Sequence, residues 1–147
     1  MRKAGVEHRL LRYDYRVDGG AEQAAADLAV DPARMFKSLV AKAGTELVFA
    51  LVAADAELSL KRLAAAAGAK HAAMAQPREA ERVTGYQVGG ISPLGSRKPL
   101  RVFLDTGAER FERICLNAGN RGHIVEVSTT DLVRITGATV VELRAGA

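Results

Sequence analysis

The stretch TGYQVGGISPLGSRKPLRVFLD, Thr84 to Asp105, decides how the rest of the chain is read. Apolar runs at its two ends, Tyr86–Val88 and Leu100–Leu104, read as strands. Between them stand Gly89, Gly90 and Gly95, with Pro93 and Pro99. A tight hairpin needs only about two residues of turn chemistry, so this loop is longer and more glycine-rich than strand reversal requires. Two familiar glycine motifs are excluded. Gly90 to Gly95 has the spacing of a nucleotide P-loop, but Ser96-Arg97 stands where Lys-Ser/Thr is needed, and Pro93 removes a backbone donor. Ser92 has Leu94 where a nucleophile elbow needs glycine. What is left is an open loop whose N–H groups, with no Cβ beside them, can face a ligand and stabilise an oxygen gaining negative charge. A long hairpin loop with glycines at its turn positions explains the same residues and is the commoner case.

Outward from the loop, the chain punctuates itself clearly. On the N-terminal side, QPREAERVTG reads as a helix with Pro77 near its start and Gly85 past its end. SLKRLAAAAGAK reads as another, opened by Ser59 and stopped by Gly68. SLVAKAGTELVFALVA reads as two strands about a turn at Gly44-Thr45. Before it, DPARMF has Asp31 as an N-cap and Pro32 at the first helical position, which predicts a helix. AEQAAADLAV has helical composition, and VEHRLLRYDY reads as a first strand. On the C-terminal side come a helical piece AERFE, a hairpin RICLN–AGNRG–IVEVS, the capped helix TTDLVRITG and a last strand TVVELR. Strands outnumber helices and several are neighbours. The expected fold is α+β: one domain over residues 1–147, with a curved, mixed, mostly antiparallel and barrel-like sheet surrounded by helices.

Composition narrows the function classes. At 147 residues the chain can bury a core without metal or disulfide support. Cys115 is the single cysteine, so no intrachain disulfide exists. His8, His71 and His123 show no ligand spacing with one another or with Cys115, so neither a metal site nor a cofactor is expected. The start, MRKAGVEHRLLRYDY, lacks the apolar stretch of a signal peptide, and no run is long enough to span a bilayer. The expectation is a cytoplasmic protein without a membrane partner. Lys and Arg number 21 against 17 Asp and Glu, a net charge of +4 that favours a polyanion. A solvated surface accounts for so modest an excess equally well.

Among single residues, Lys37 in RMFKSLV stands out, because it follows Phe36 at the entry to an apolar strand. There its ammonium can face an ester carbonyl, or its stem can pack while the charge reaches water. Ser38 beside it can donate a hydrogen bond. Arg97, Lys98 and Arg101 put positive charge next to the glycine loop, suited to a polyanionic substrate or to shielding a strand edge. Cys115 reads as a buried strand residue rather than a nucleophile.

TGYQVGGISPLG, together with MFKSLV, closely resembles the signature of the YbaK/EbsC/ProX family. These are free-standing aminoacyl-tRNA deacylases related to the editing domain inserted in bacterial prolyl-tRNA synthetases. GVEHRLLRYDY, DPARMFKSLV, AAAAGAKHAAMAQPREAERVTGY and NAGNRGHIVEVSTTDLVRITGA extend the likeness over nearly the whole chain. The resemblance implies a cleft for the aminoacyl-adenosine end of tRNA, with Lys37, Gly89 and Gly90 acting on the ester. Tyr13, Ser38, Ile91, Ser92, Pro93 and Asn117 would lie against the substrate, and Arg97, Lys98 and Arg101 against the RNA. It also implies Cys-tRNA(Pro) as first substrate, with Cys-tRNA(Cys) beside it and Ala-tRNA(Pro) as the alternative, and prolyl-tRNA synthetase as a partner. Attack comes from the substrate's own thiol or from water. A non-catalytic module that holds tRNA or a synthetase is the rival from another class. One departure bears on specificity: cysteine-directed relatives carry Asp in RG-x-D-[IL]-E, whereas RGHIVEV here has Ile124 at that place.

Overall fold

The computed structural model describes residues 7–95 and 98–146. Eight strands and four helices follow in the order β1 (His8–Arg12), α1 (Gly20–Asp27), β2 (Phe36–Ala43), β3 (Glu46–Ala53), α2 (Leu60–Ala67), β4 (Ala72–Met74), α3 (Pro77–Thr84), β5 (Arg101–Asp105), β6 (Arg113–Asn117), β7 (His123–Ser128), α4 (Thr129–Thr136) and β8 (Thr139–Val141). They form a five-stranded sheet of order β4-β2-β3-β5-β8 and a three-stranded sheet of order β1-β7-β6. The smaller sheet is antiparallel throughout. In the larger one β4, β2 and β3 are antiparallel, while β3, β5 and β8 run parallel. The two sheets meet at a bridge between Met35 and Cys115, where Cys115 N–H donates to Arg34 O at 3.0 Å. The α+β class and the mostly antiparallel pairing match the sequence reading, with the strands divided between two joined sheets.

β3 is the centre, and its sequence shows why. ELVFALVA has no polar alternation because both of its faces are covered. Phe49, Leu51 and Ala53 pack with Phe36 and Val40 against Ile114, Leu116, Val125 and Val127 of the smaller sheet. Val48, Ala50 and Val52 pack on the opposite face against Phe103, Leu143 and Leu63 of α2. Burying each such aliphatic or aromatic side chain stabilises the fold by about 1.5–3 kcal/mol. A third cluster joins Ala24 and Ala25 of α1 to Met35, Cys115 and Ile124.

Two expectations change. DPARMF forms one turn only: Asp31 Oδ1 accepts from Ala33 N–H at 2.9 Å, Arg34 and Met35 donate back to Asp31 and Pro32, and β2 begins at Phe36. The capping signal is present, but buried strand pairing of Met35 and Phe36 overrides it. The glycine stretch does not join paired strands either. Tyr86–Val88 is loop following α3, and β5 pairs in parallel with β3 and β8, so no hairpin exists there.

Asp105, fully buried at the end of β5, pins the C-terminal segment. Its Oδ1 accepts from Leu143 N–H at 2.8 Å and Arg144 N–H at 3.3 Å, while Oδ2 accepts from Gly107 N–H and Arg144 Nε. Asp105→Ala strands these donors, so we expect a loss of about 3 kcal/mol or more, measured by urea unfolding.

Candidate functional site

β2 has an edge that its neighbours cover only in part. Beyond Val40, β4 pairs with Ala41–Ala43, and Val40 O accepts from Ala75 N–H at 3.1 Å. Before Phe36, Met35 is bridged to β6. Lys37, Ser38 and Leu39 lie between these contacts and line a cavity of about 350 Å³. Backbone groups alternate sides along a strand. Ser38, two residues before Val40, therefore turns its own N–H and C=O towards the edge on which Val40 meets Ala75. The site is a gap in strand pairing.

The cavity walls come from distant parts of the chain. Tyr13 and Tyr15 leave the end of β1; Gly20 and Ala21 open α1; Met74 and Ala75 end β4; Pro77 and Ala80 belong to α3; Val88, Gly89 and Ile91 come from the glycine loop; Asn117 ends β6. The tyrosine segment is held by Gln23 of α1, whose Nε2 donates to Asp14 O and whose Oε1 accepts from Arg16 N–H at 3.1 Å. Lys37 is half-buried, is the one charged side chain among the described lining residues, and enters no ion pair among them. Burial, with lesser contributions from Tyr15 and Asp27, raises the Tyr13 pKa, so its phenol is a hydrogen-bond donor at neutral pH. Ser38 Oγ is buried and has no hydrogen-bond partner among the described residues.

The paired glycines have a packing reason. Gly89 has φ +98°, and a Cβ there would sit 2.5 Å from the Tyr15 hydroxyl oxygen. At Gly90 a Cβ would meet Asn120 and Arg121 backbone atoms at 3.0 Å. Gly89 lines the cavity. Gly90 does not, and its N–H donates to Gln87 O at 2.9 Å, so of the two expected amides that of Gly90 is used within the loop, and of the two glycines only Gly89 lines the cavity.

Of the other expected residues, Lys37, Ser38, Tyr13, Ile91 and Asn117 converge on the cavity. Ser92 is buried outside it, its Oγ accepting from Leu94 N–H at 3.1 Å, and Pro93 also lies off the lining. Arg97 lies outside the described residues. Lys98 is exposed, with its N–H donated to Val83 O at 3.1 Å. Arg101 is engaged by Glu46 through two hydrogen bonds of 2.9 and 2.6 Å and by Ala67 O. It pairs with Val48, whereas Lys37 pairs with Val52. Four residues separate those positions, about 13 Å along the strand at roughly 3.3 Å per residue. Neither Lys98 nor Arg101 is among the residues that line the cavity. Tyr15, whose position at the end of the first strand suggests packing alone, does border it, as do Val17, Met74 and Val88, exposed apolar residues whose signal is visible only in three dimensions. Ile124 is buried in the α1 cluster opposite Asn117, so no carboxylate enters from that place. No group of His, Cys, Asp and Glu suited to a metal ion occurs among the described residues, and none of their helices is long and apolar enough to cross a membrane.

The site is thus a strand-edge cavity lined by one lysine that forms no ion pair among the described residues and by Gly89 of the glycine loop. The chain belongs to the aminoacyl-tRNA editing domain family, which matches residues 19–135. EbsC of Enterococcus faecalis (strain ATCC 700802 / V583), provisionally named a Cys-tRNA(Pro)/Cys-tRNA(Cys) deacylase, is 34% identical over 84% of this chain and 76% of its own length. The multifunctional Ser/Thr-tRNA deacylase ProXp-y of Escherichia coli (strain K12) is 35% identical over 66% of this chain and 59% of its own. A crystal structure provisionally assigned as a trans-editing enzyme for prolyl tRNA synthetase superposes with a TM-score of 0.84 at 25% identity, covering 97% of this chain and 88% of that one.

Two outcomes follow, one for the buried cysteine of the core and one for the site's orphaned hydroxyl. Cys115 is fully buried and burial pushes its thiol pKa up, so iodoacetamide at neutral pH should neither label the folded protein nor reduce any deacylation, read by mass spectrometry and by rate. Ser38→Ala removes a hydroxyl that makes no hydrogen bond among the described residues, so the melting temperature should hold or rise slightly.

Proposed function

We propose that this protein is a trans-editing deacylase that cleaves the ester between a wrongly attached small amino acid and the terminal ribose of tRNA, with Cys-tRNA(Pro) as first substrate. The observation that carries the reading is the cavity on β2, in which Lys37 faces no counter-charge among the described residues and Gly89 supplies a backbone wall. At about 350 Å³ the cavity suits a small aminoacyl group. Among the described residues its lining has no carboxylate, histidine or cysteine to act as base or nucleophile. The chemistry therefore rests on orientation and charge. The attacking group, a cysteinyl thiol or a water, adds to the ester carbonyl carbon, and the carbonyl oxygen gains negative charge. The Lys37 ammonium and the Gly89 N–H stabilise that oxygen. Collapse re-forms the carbonyl and breaks the bond to the ribose oxygen, which leaves protonated. Thiol attack releases a cyclic thiolactone, and water releases the free amino acid.

A second reading is favoured by Ile124. An isoleucine at that place neither accepts a hydrogen bond nor balances a substrate ammonium, which supports a broader preference that includes Ala-tRNA(Pro) and the seryl and threonyl esters handled by the Escherichia coli relative. Similarity to proline–tRNA ligases over 74% of this chain supports prolyl-tRNA synthetase as a neighbour in function.

A deacylation panel of Cys-, Ala-, Ser- and Thr-charged tRNAs tests both readings. We expect Lys37→Ala to fold normally and to lose activity on the order of a hundredfold or more. Equal activity in that variant would remove Lys37 from the mechanism, and inactivity of the wild type on every ester would favour a binding module.

A further inference from the structure

The peptide group joining Val88 to Gly89 is gripped at its outer end. Arg121 Nε donates to Val88 O at 2.9 Å, and the guanidinium lies 5.0 Å from the centre of the Tyr15 ring. One residue earlier, Val88 N–H donates to Glu81 Oε2 at 2.8 Å. Gln87, Val88, Gly89 and Gly90 form a turn closed by Gly90 N–H to Gln87 O, with Gly89 at φ +98°. Positive φ at the third position marks the type II arrangement. Type I needs negative φ there, and the two differ by a flip of the central peptide. That central peptide is Val88–Gly89.

We propose that Arg121 and Glu81 are positioning residues that lock this peptide in one of its two orientations, and so present the Gly89 N–H to the ester. The proposal rests on the deacylase reading above and adds residues that act through the loop. A trans peptide is planar, with N–H and C=O pointing opposite ways. A donor fixed on Val88 O therefore fixes the direction of Gly89 N–H, away from Arg121. Because that donor carries charge, it also draws electron density towards the carbonyl oxygen and makes the N–H at the other end a stronger donor. Tyr15 completes the brace: it carries the guanidinium on its ring while its hydroxyl stands where a Gly89 side chain would be. Glycine lets the peptide flip readily, since φ of either sign is open to it. The clamp from outside supplies the choice.

The test compares Arg121→Ala, Arg121→Lys, Glu81→Ala and Glu81→Gln with wild type. It uses single-turnover deacylation of the best substrate from the panel, together with NMR of the free protein labelled with 13C and 15N. Arg121→Ala should lower the rate of the chemical step by about tenfold or more with KM changed less than about threefold. In the same variant the Val88 carbonyl and Gly89 amide resonances should move or broaden. Arg121→Lys should recover only part of the rate, because a lysine cannot stack and donate in one plane. Glu81→Gln keeps an acceptor oxygen and should match wild type, while Glu81→Ala should not. The proposal is overturned by unchanged Val88 and Gly89 signals in Arg121→Ala, or by a rate within twofold of wild type. It is equally overturned by a loss expressed wholly in KM, or by Glu81→Gln behaving as Glu81→Ala. Should the wild type deacylate nothing, the functional reading falls, and the NMR comparison still decides whether the clamp sets the peptide.

Discussion

A strand in a sheet demands partners on both edges, and β2 is denied one of them over Lys37–Leu39. β4 is too short to reach that far, and the contact with β6 stops at Met35. Backbone groups left without a neighbouring strand are costly unless something polar meets them. That constraint turns an interruption of pairing into a place for a ligand. The remaining architecture serves it: β3 anchors β2 from behind with a full eight-residue register, and two hydrophobic layers hold β3 itself. Because this edge belongs to the strand paired with β3 along its whole length, Lys37 is carried by one of the best-packed elements of the molecule.

Opposite this edge, the glycine loop answers a steric demand as well as a chemical one. Tyr15 closes over Gly89, and the Asn120–Arg121 backbone closes over Gly90. Two adjacent residues without Cβ atoms are needed because the chain is squeezed from two directions at consecutive positions. This differs from the sequence expectation that both amides face the ligand, since Gly90 uses its own to close the turn.

The local signals were legible wherever local physics governs. Ser59, Ser128, Gly68, Gly85 and Gly137 cap helices as their residue types suggest, with the three glycines in the left-handed region. Lys37, Ser38 and Gly89 were identifiable through the MFKSLV and GGISP segments. Asp31-Pro32 misled because a capping signal is worth about 1 kcal/mol, less than the burial of Met35 and Phe36 in a sheet. Arg101 stands away from the cavity lining because proximity in sequence to the loop says nothing of where β5 runs, and it pairs with Glu46 across the sheet. Arg121 reaches Val88 across a separation of 33 residues, a contact that no periodicity announces.

In β2 the core residue Phe36 stands directly before the cavity-lining Lys37, Ser38 and Leu39, Val40 belongs to both core and cavity wall, and one register against β3 fixes both sets. Sliding that strand by a single position would turn the ammonium of Lys37 into the hydrophobic layer and expel Phe36 from it. Misfolding and loss of chemistry are thus one event here, and quality control of the fold is at the same time quality control of the catalyst.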